Sequence, residues 1–149
     1  MIGARRELNF KSEDDVIADL TTLRRGYAQA GAWSLPQMCA HLDKSIQYRM
    51  RPGPFAPNTP EQEARLPQFR EIVASGRLPD GIAAPEMMMP PEECGDDAVD
   101  SLIAILKTFQ CFPGPIAPHR LFGQLADADA RRLNLIHCAH HLSYLTPTS

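Results

Sequence analysis

The sequence predicts an all-α protein, a bundle of four principal helices with a long proline-rich connection in its middle. Three observations carry that prediction. Apolar residues recur at spacings of three and four in separate segments, the period of one helix face. A capping residue (Ser12, Ser34, Asp96 or Asp97, Asp127 or Asp129) stands before each of the four. No segment alternates with period two over a useful length, so no strand is expected.

At 149 residues the chain suffices for one domain, residues 1–149, that buries a core without disulfide or metal staples. Hydrophobic residues at 44% and charged residues at 22% place it among ordinary globular proteins and apart from disordered chains.

The first helix opens at Ser12, with Glu13, Asp14 and Asp15 in its electropositive first turn. Val16, Leu20, Leu23 and Tyr27 form its core stripe, and Gly31 is its expected stop. Ser34-Leu35-Pro36-Gln37 starts the second: Ser34 caps, Gln37 closes a capping box, and Pro36 is tolerated in the first turn. That helix is expected to run to Arg51, before Pro52-Gly53-Pro54. Its inward stripe is Met38, His41, Leu42, Ser45 and Tyr48 or Arg49.

From Pro52 to Pro118 the texture changes, because every proline except Pro36 and Pro147 falls there. Thr59-Pro60-Glu61-Gln62 is a second capping box, opening a shorter helical piece to Ser75 that Pro67 must kink or restart and Gly76 ends. The next principal helix carries Val99, Leu102, Ile103, Leu106 and Phe109 on its buried face, through Cys111. Between these two pieces, residues 77–95 read as a loop containing Met87-Met88-Met89. A structureless stretch of that length is unusual in a compact domain and often functional. Its methionines suit an adaptable apolar pocket, although gap-filling is their commoner role. Residues 113–124 lead into the last helix and carry His119, read as an exposed loop histidine ahead of a second-shell or proton-carrying one. The last helix spans Asp127 to Tyr144, with no Gly or Pro before Pro147.

A net charge of −3, from 15 basic and 18 acidic residues, leaves no basic excess to neutralise phosphates. That argues against nucleic-acid binding carried by bulk electrostatics, and no nucleic-acid partner is expected. No apolar stretch reaches transmembrane length and the N-terminus lacks the apolar run of a signal peptide, so a cytoplasmic protein with no membrane partner is expected. Cys39, Cys94, Cys111 and Cys138 form no C-x-x-C pair and are expected to be reduced and mostly structural.

Three of the five histidines lie in the last helix. His137 and His141 stand about 40° apart round it and about 6 Å apart along it. Two imidazoles so placed can hold one metal ion, although a pair on an amphipathic helix also arises without one. His140 lies about 60° from His137 on the side away from His141, which puts it beside such a site. His41, taken singly on an apolar stripe, reads as a satisfied core or boundary histidine.

Taken together, Trp33-Ser34-Leu35 through His41-Leu42 and the run His137 to Leu142 resemble the DinB-like (YfiT-like) four-helix-bundle superfamily of metalloenzymes. The likeness extends over nearly the whole chain. LPDGIAAPEMMMPPE, PHRLFGQL and NLIHCAHHLSYL are similar to a branch without an assigned function. The resemblance implies an up-down-down-up bundle with a crossover joining the second and third helices, and frequent homodimers. It also implies one divalent metal held by His41, His137 and His141. Two departures stand out. Leu142 follows the final ligand where thiol transferases of the superfamily often carry Arg, and Arg120 stands where the related branch has Pro after its loop histidine.

Three neutral imidazoles leave a divalent ion positively charged and with an open position. Such a site lowers the pKa of water or holds a thiolate or carbonyl oxygen as a Lewis acid. Imidazole suits zinc, nickel and iron better than manganese, and zinc or nickel is expected ahead of iron. The expected function is a metal-dependent enzyme acting on a small-molecule substrate. Thiol-group transfer or thiol-dependent isomerisation with a low-molecular-weight thiol comes first by resemblance, and hydrolysis next. His140 or His119 is the candidate to supply or remove a proton. The rival reading is a catalytically silent bundle that binds a small ligand or a partner.

Overall fold

The computed structural model describes residues 5–80 and 84–148. Among them, α1 (Glu13–Leu23), β1 (Tyr27–Gln29) and α2 (Leu35–Arg49) come first, then α3 (Pro60–Ala64) and α4 (Leu66–Ser75). After these come α5 (Asp97–Gln110), α6 (Asp127–Leu142) and β2 (Leu145–Pro147). The mostly helical class is the one the sequence predicts.

Ser12 caps α1 by accepting from the Asp15 N–H, and Val16, Leu20 and Leu23 are fully buried. The helix stops at Leu23, well short of Gly31. Gly26, at φ 147, turns the chain, and β1 then pairs antiparallel with β2, Tyr27 opposite Pro147. The Tyr27 hydroxyl accepts from the Leu35 N–H, so its ring serves the start of α2 instead of extending the α1 stripe. The small sheet is the departure from all-α, and it binds the end of the chain back to the first turn region.

In α2 the capping box between Ser34 and Gln37 is formed in both directions, and the helix ends at Arg49, two residues before the expected Arg51. Pro67 divides the next segment into α3 and α4, and Gly76, at φ 71, supplies the left-handed residue that ends α4. The aspartate caps of α5 and α6 do not form. Asp96 instead meets Arg24 at 2.6 Å, and Asp127 meets Arg131 one turn along at 2.8 Å. A guanidinium offers a carboxylate a stronger bond than a backbone N–H does.

α1, α2, α5 and α6 enclose the main core, centred on Leu20, Leu42, Ile46, Leu102, Leu106 and Leu142. α4 packs on the other side of α6, where Phe69, Ile72, Phe122, Leu133 and Ile136 make a smaller core. α6 is therefore apolar on two flanks, and the strip left between them carries His137 and His141. Within residues 77–95, Glu86–Met88 forms a single 3-10 turn against α2. Met88 and Met89 border a cavity there, while Met87 is 68% exposed. Cys39 and Cys138 are buried thiols, and Cys111 is exposed. No helix of the described residues is long and apolar enough to cross a membrane.

Candidate metal centre

His41 lies on the face of α2 that also buries Met38 and Leu42, and α2 packs against α6. That packing brings His41 to the strip of α6 that carries His137 and His141. His137 Nε2 lies 3.2 Å from His41 Nε2 and 3.0 Å from His141 Nε2. Ligand atoms of all three fall within 4.8 Å of one another, so the three histidines chosen from the sequence do meet.

Hydrogen bonding sets which nitrogen of His41 faces this point. Its Nδ1–H donates to the Met88 carbonyl oxygen at 2.7 Å, because a carbonyl can only accept. The neutral ring then presents the Nε2 lone pair to its neighbours, the partner-fixed tautomer typical of metal-binding histidines. Ser45 Oγ stands 3.5 Å from His137 Nδ1. Trp33 closes one side, stacked on His141 at 5.5 Å and tilted against His41 at 5.1 Å.

Burial, ahead of any other cause, holds all three rings below the ordinary 6.5 and hence neutral. His141 is pushed down to about 2, and His137 lies well below 6.5, with the neighbouring rings adding to the effect. One proton on His137 Nε2 can point at only one of its two neighbours. A single cation satisfies all three lone pairs. Bonds of about 2.0–2.1 Å to one ion place adjacent nitrogens roughly 2.8–3.4 Å apart in octahedral or tetrahedral arrangements. The observed 3.0 and 3.2 Å fall in that range, so the donor set fits a divalent metal.

His140 stands outside the cluster. Its ring meets His141 edge-on at 5.1 Å, and its Nδ1 accepts from Arg5 Nη2 at 3.3 Å, which leaves the neutral ring's proton on Nε2. His119 is not the exposed loop residue expected. Its backbone bridges to Gly123, where φ of 73 lets the chain turn back, and its ring stacks on Phe122 at 4.9 Å. Nδ1 accepts the Leu121 N–H at 3.0 Å and the Phe122 N–H at 3.4 Å, so this ring too keeps its proton on Nε2. Burial, then the fields of Arg49 and Arg120, push its pKa down to about 2.

A cavity of about 480 Å³ opens beside the three rings, bordered by Trp33, Met88, Phe122 and Leu133 and also by His119 and His140. Sequence reasoning gave no site role to Trp33, to the Met88 carbonyl or to Arg49. Arg49 left a signal as an arginine on an otherwise inward-facing stripe, and Trp33 left one as part of the motif that carries the family resemblance.

A family model described as "Protein of unknown function (DUF1569)" matches residues 2–148. No curated protein and no solved structure matches the chain.

Proposed function

Because the chain belongs to this family of unknown function, DUF1569, its site must supply the reading, and from it we propose a divalent-metal-dependent enzyme acting on a small molecule. The observation that carries it is the convergence of His41, His137 and His141 through their Nε2 atoms at the wall of a cavity of substrate size. When bound, a zinc, nickel or iron ion would supply Lewis acidity towards water, a thiol or a carbonyl oxygen. The protein's own part is to hold three neutral rings in register. Met88 orients His41, Ser45 stands beside His137, and Trp33 shields one flank from water. His140 and His119 each keep a proton at Nε2 on the cavity border, where they can donate to substrate oxygen or sulfur or pass a proton on. Thiol-group transfer or thiol-dependent isomerisation stands first and hydrolysis second. We further read α1, α2, α5 and α6 as the up-down-down-up bundle of the DinB-like superfamily, capable of homodimerisation. A catalytically silent binder is the second reading, favoured by Leu142, which lies fully buried in the main core where thiol transferases often carry Arg.

The test is metal content per chain, measured on protein purified without a histidine tag and dialysed against a weak chelator. Wild type should retain a divalent ion. His41→Ala, His137→Ala and His141→Ala should each lose it. His140→Ala and His119→Ala should keep it, with affinity or activity reduced by no more than about 10–100-fold. Release by His140→Ala with retention by His141→Ala would mean the wrong face of α6 has been assigned. Turnover of thiols with electrophiles that stops on chelation and returns with metal supports the enzyme. Ligand binding indifferent to metal supports the silent binder.

A further inference from the structure

The same cavity contains a charge that the three-histidine site does not use. Arg49 is the last residue of α2, two turns beyond His41 on the side reached through Ser45. It borders the cavity, yet is only 5% exposed. Its Nη1 is buried without a hydrogen-bond partner, and among the described residues no carboxylate pairs with it. Burial, then the field of Arg51, pulls its pKa down only to about 10, so it stays charged at neutral pH. That charge in turn helps lower both His137 and His119, which places it electrostatically beside the site.

A lone buried guanidinium is an unfavourable thing to keep, and folded proteins normally pair one. The carboxyl end of α2 favours a cation there but does not satisfy the guanidinium's donors. The cavity border has no Asp or Glu among its described residues. Apart from the histidines, Ser45, Tyr48 and the arginines, the border is apolar and includes Trp33, Met88, Leu121, Phe122 and Leu133. The chain as a whole is acidic, at −3, so this cationic, apolar-walled chamber is a local arrangement and not a consequence of composition.

We propose that Arg49 anchors a carboxylate on the cavity's ligand, so that the site takes a small amphipathic carboxylic acid with its apolar body against Trp33 and Phe122. The guanidinium's planar fork matches a carboxylate's two oxygens, and the carboxylate supplies the partner that Arg49 lacks among the described residues. A ligand held by that end has its position fixed relative to the three histidines. The proposal deepens the enzyme reading by naming its substrate class, and rests on the cavity being the substrate site, but it does not need the metal to be present.

The experiment therefore uses chelator-treated full-length protein at about pH 8, where ordinary histidines are neutral. Calorimetric binding of hexanoate is compared with that of hexanamide, its uncharged counterpart. Wild type should prefer hexanoate by about 10–100-fold, the size of a hydrogen bond to a charged group. Arg49→Met should abolish the preference. Equal binding of the two probes to wild type, or an intact preference in folded Arg49→Met, overturns the proposal. Should Arg49→Met fail to fold, Arg49→Gln is read in its place by the same two criteria. If neither variant folds, Arg49 is structural and the proposal falls. His141→Ala separates this from the metal reading: it should lose the metal yet keep its preference for hexanoate. Failure of the hexanoate preference with normal metal retention leaves the metal centre standing.

Discussion

His41 and His119 are both buried neutral rings, yet opposite nitrogens are tied down. His41 donates from Nδ1 to a carbonyl, and His119 accepts at Nδ1 from two backbone N–H groups. One is thereby shaped as a ligand and the other as a donor. His119→Phe keeps a ring for Phe122 to stack on but orphans the Leu121 and Phe122 N–H groups. Urea titration should show a loss of about 1–3 kcal/mol. The His119 pKa is depressed from 6.5 to about 2, so its stabilising contribution is complete above pH 6.5 and is lost as pH falls towards 2. The variant should accordingly show a shallower fall of urea midpoint with acid than wild type. The cysteines show the opposite sign. Burial raises Cys39 and Cys138 from 9.0 to about 12, so the stability they lend is whole below pH 9.0 and is lost as pH rises towards 12. At about pH 8, intact-mass analysis after brief iodoacetamide treatment should find Cys111 and Cys94 modified and Cys39 and Cys138 protected.

At the scale of elements, α2 and α6 position the site by different means. α2 is started locally, by the Ser34–Gln37 box that fixes where it begins, while Met38, Leu42 and Ile46 in the core set which face His41 takes. Ser34→Ala should cost about 1 kcal/mol in denaturant titration while leaving bound metal unchanged, because His41 is held by packing beyond the first turn. Ser34→Asp should recover most of that loss. α6 has no side-chain cap and is positioned by the two cores it separates, with Leu133 and Ile136 on one side and Leu135, Cys138 and Leu142 on the other. Ile136→Ala should therefore cost about 2–5 kcal/mol and loosen metal retention as well, since His137 is its neighbour in the chain. Full retention of metal in that variant would show that the smaller core does not position the site.

Across the whole molecule, the chain's beginning and end are joined by Arg6. Its guanidinium meets both oxygens of Asp19 in α1, at 2.8 and 2.9 Å, the Leu142 carbonyl at 3.0 Å and the Leu145 carbonyl at 2.6 Å. One side chain thus satisfies the end of α6, the start of β2 and an acid on α1. Both partners of the ion pair are largely shielded, with side chains 20% and 13% exposed. Arg6→Ala should lower stability by about 1.5–3 kcal/mol, as loss of charge-assisted hydrogen bonds requires. Arg77→Ala, which breaks the exposed pair with Glu7, should change it by less than about 1 kcal/mol. Equal effects of the two substitutions would deny Arg6 this role.

The sequence by itself determined the helical class, the starts of α1, α2 and α3, the break at Pro67 and the stop at Gly76. The class follows from apolar recurrence along each segment, and the starts, break and stop each depend on residues within one turn of each other, so local spacing is enough to read them. It also marked His41, His137 and His141, the last two through their spacing and the first only through resemblance to a family motif. The tertiary structure alone decided what depends on distant neighbours. Tyr27 left the α1 stripe because β2 pairs with its strand, Asp96 and Asp127 were drawn from capping by arginines, and His119 was folded inward by its bridge to Gly123. The meeting of His41 with His137 across 96 residues, and the unpaired charge of Arg49 beside them, arise only when α2 packs on α6. Helix periodicity says which face a side chain takes, but only the packing of one helix on another says what that face meets.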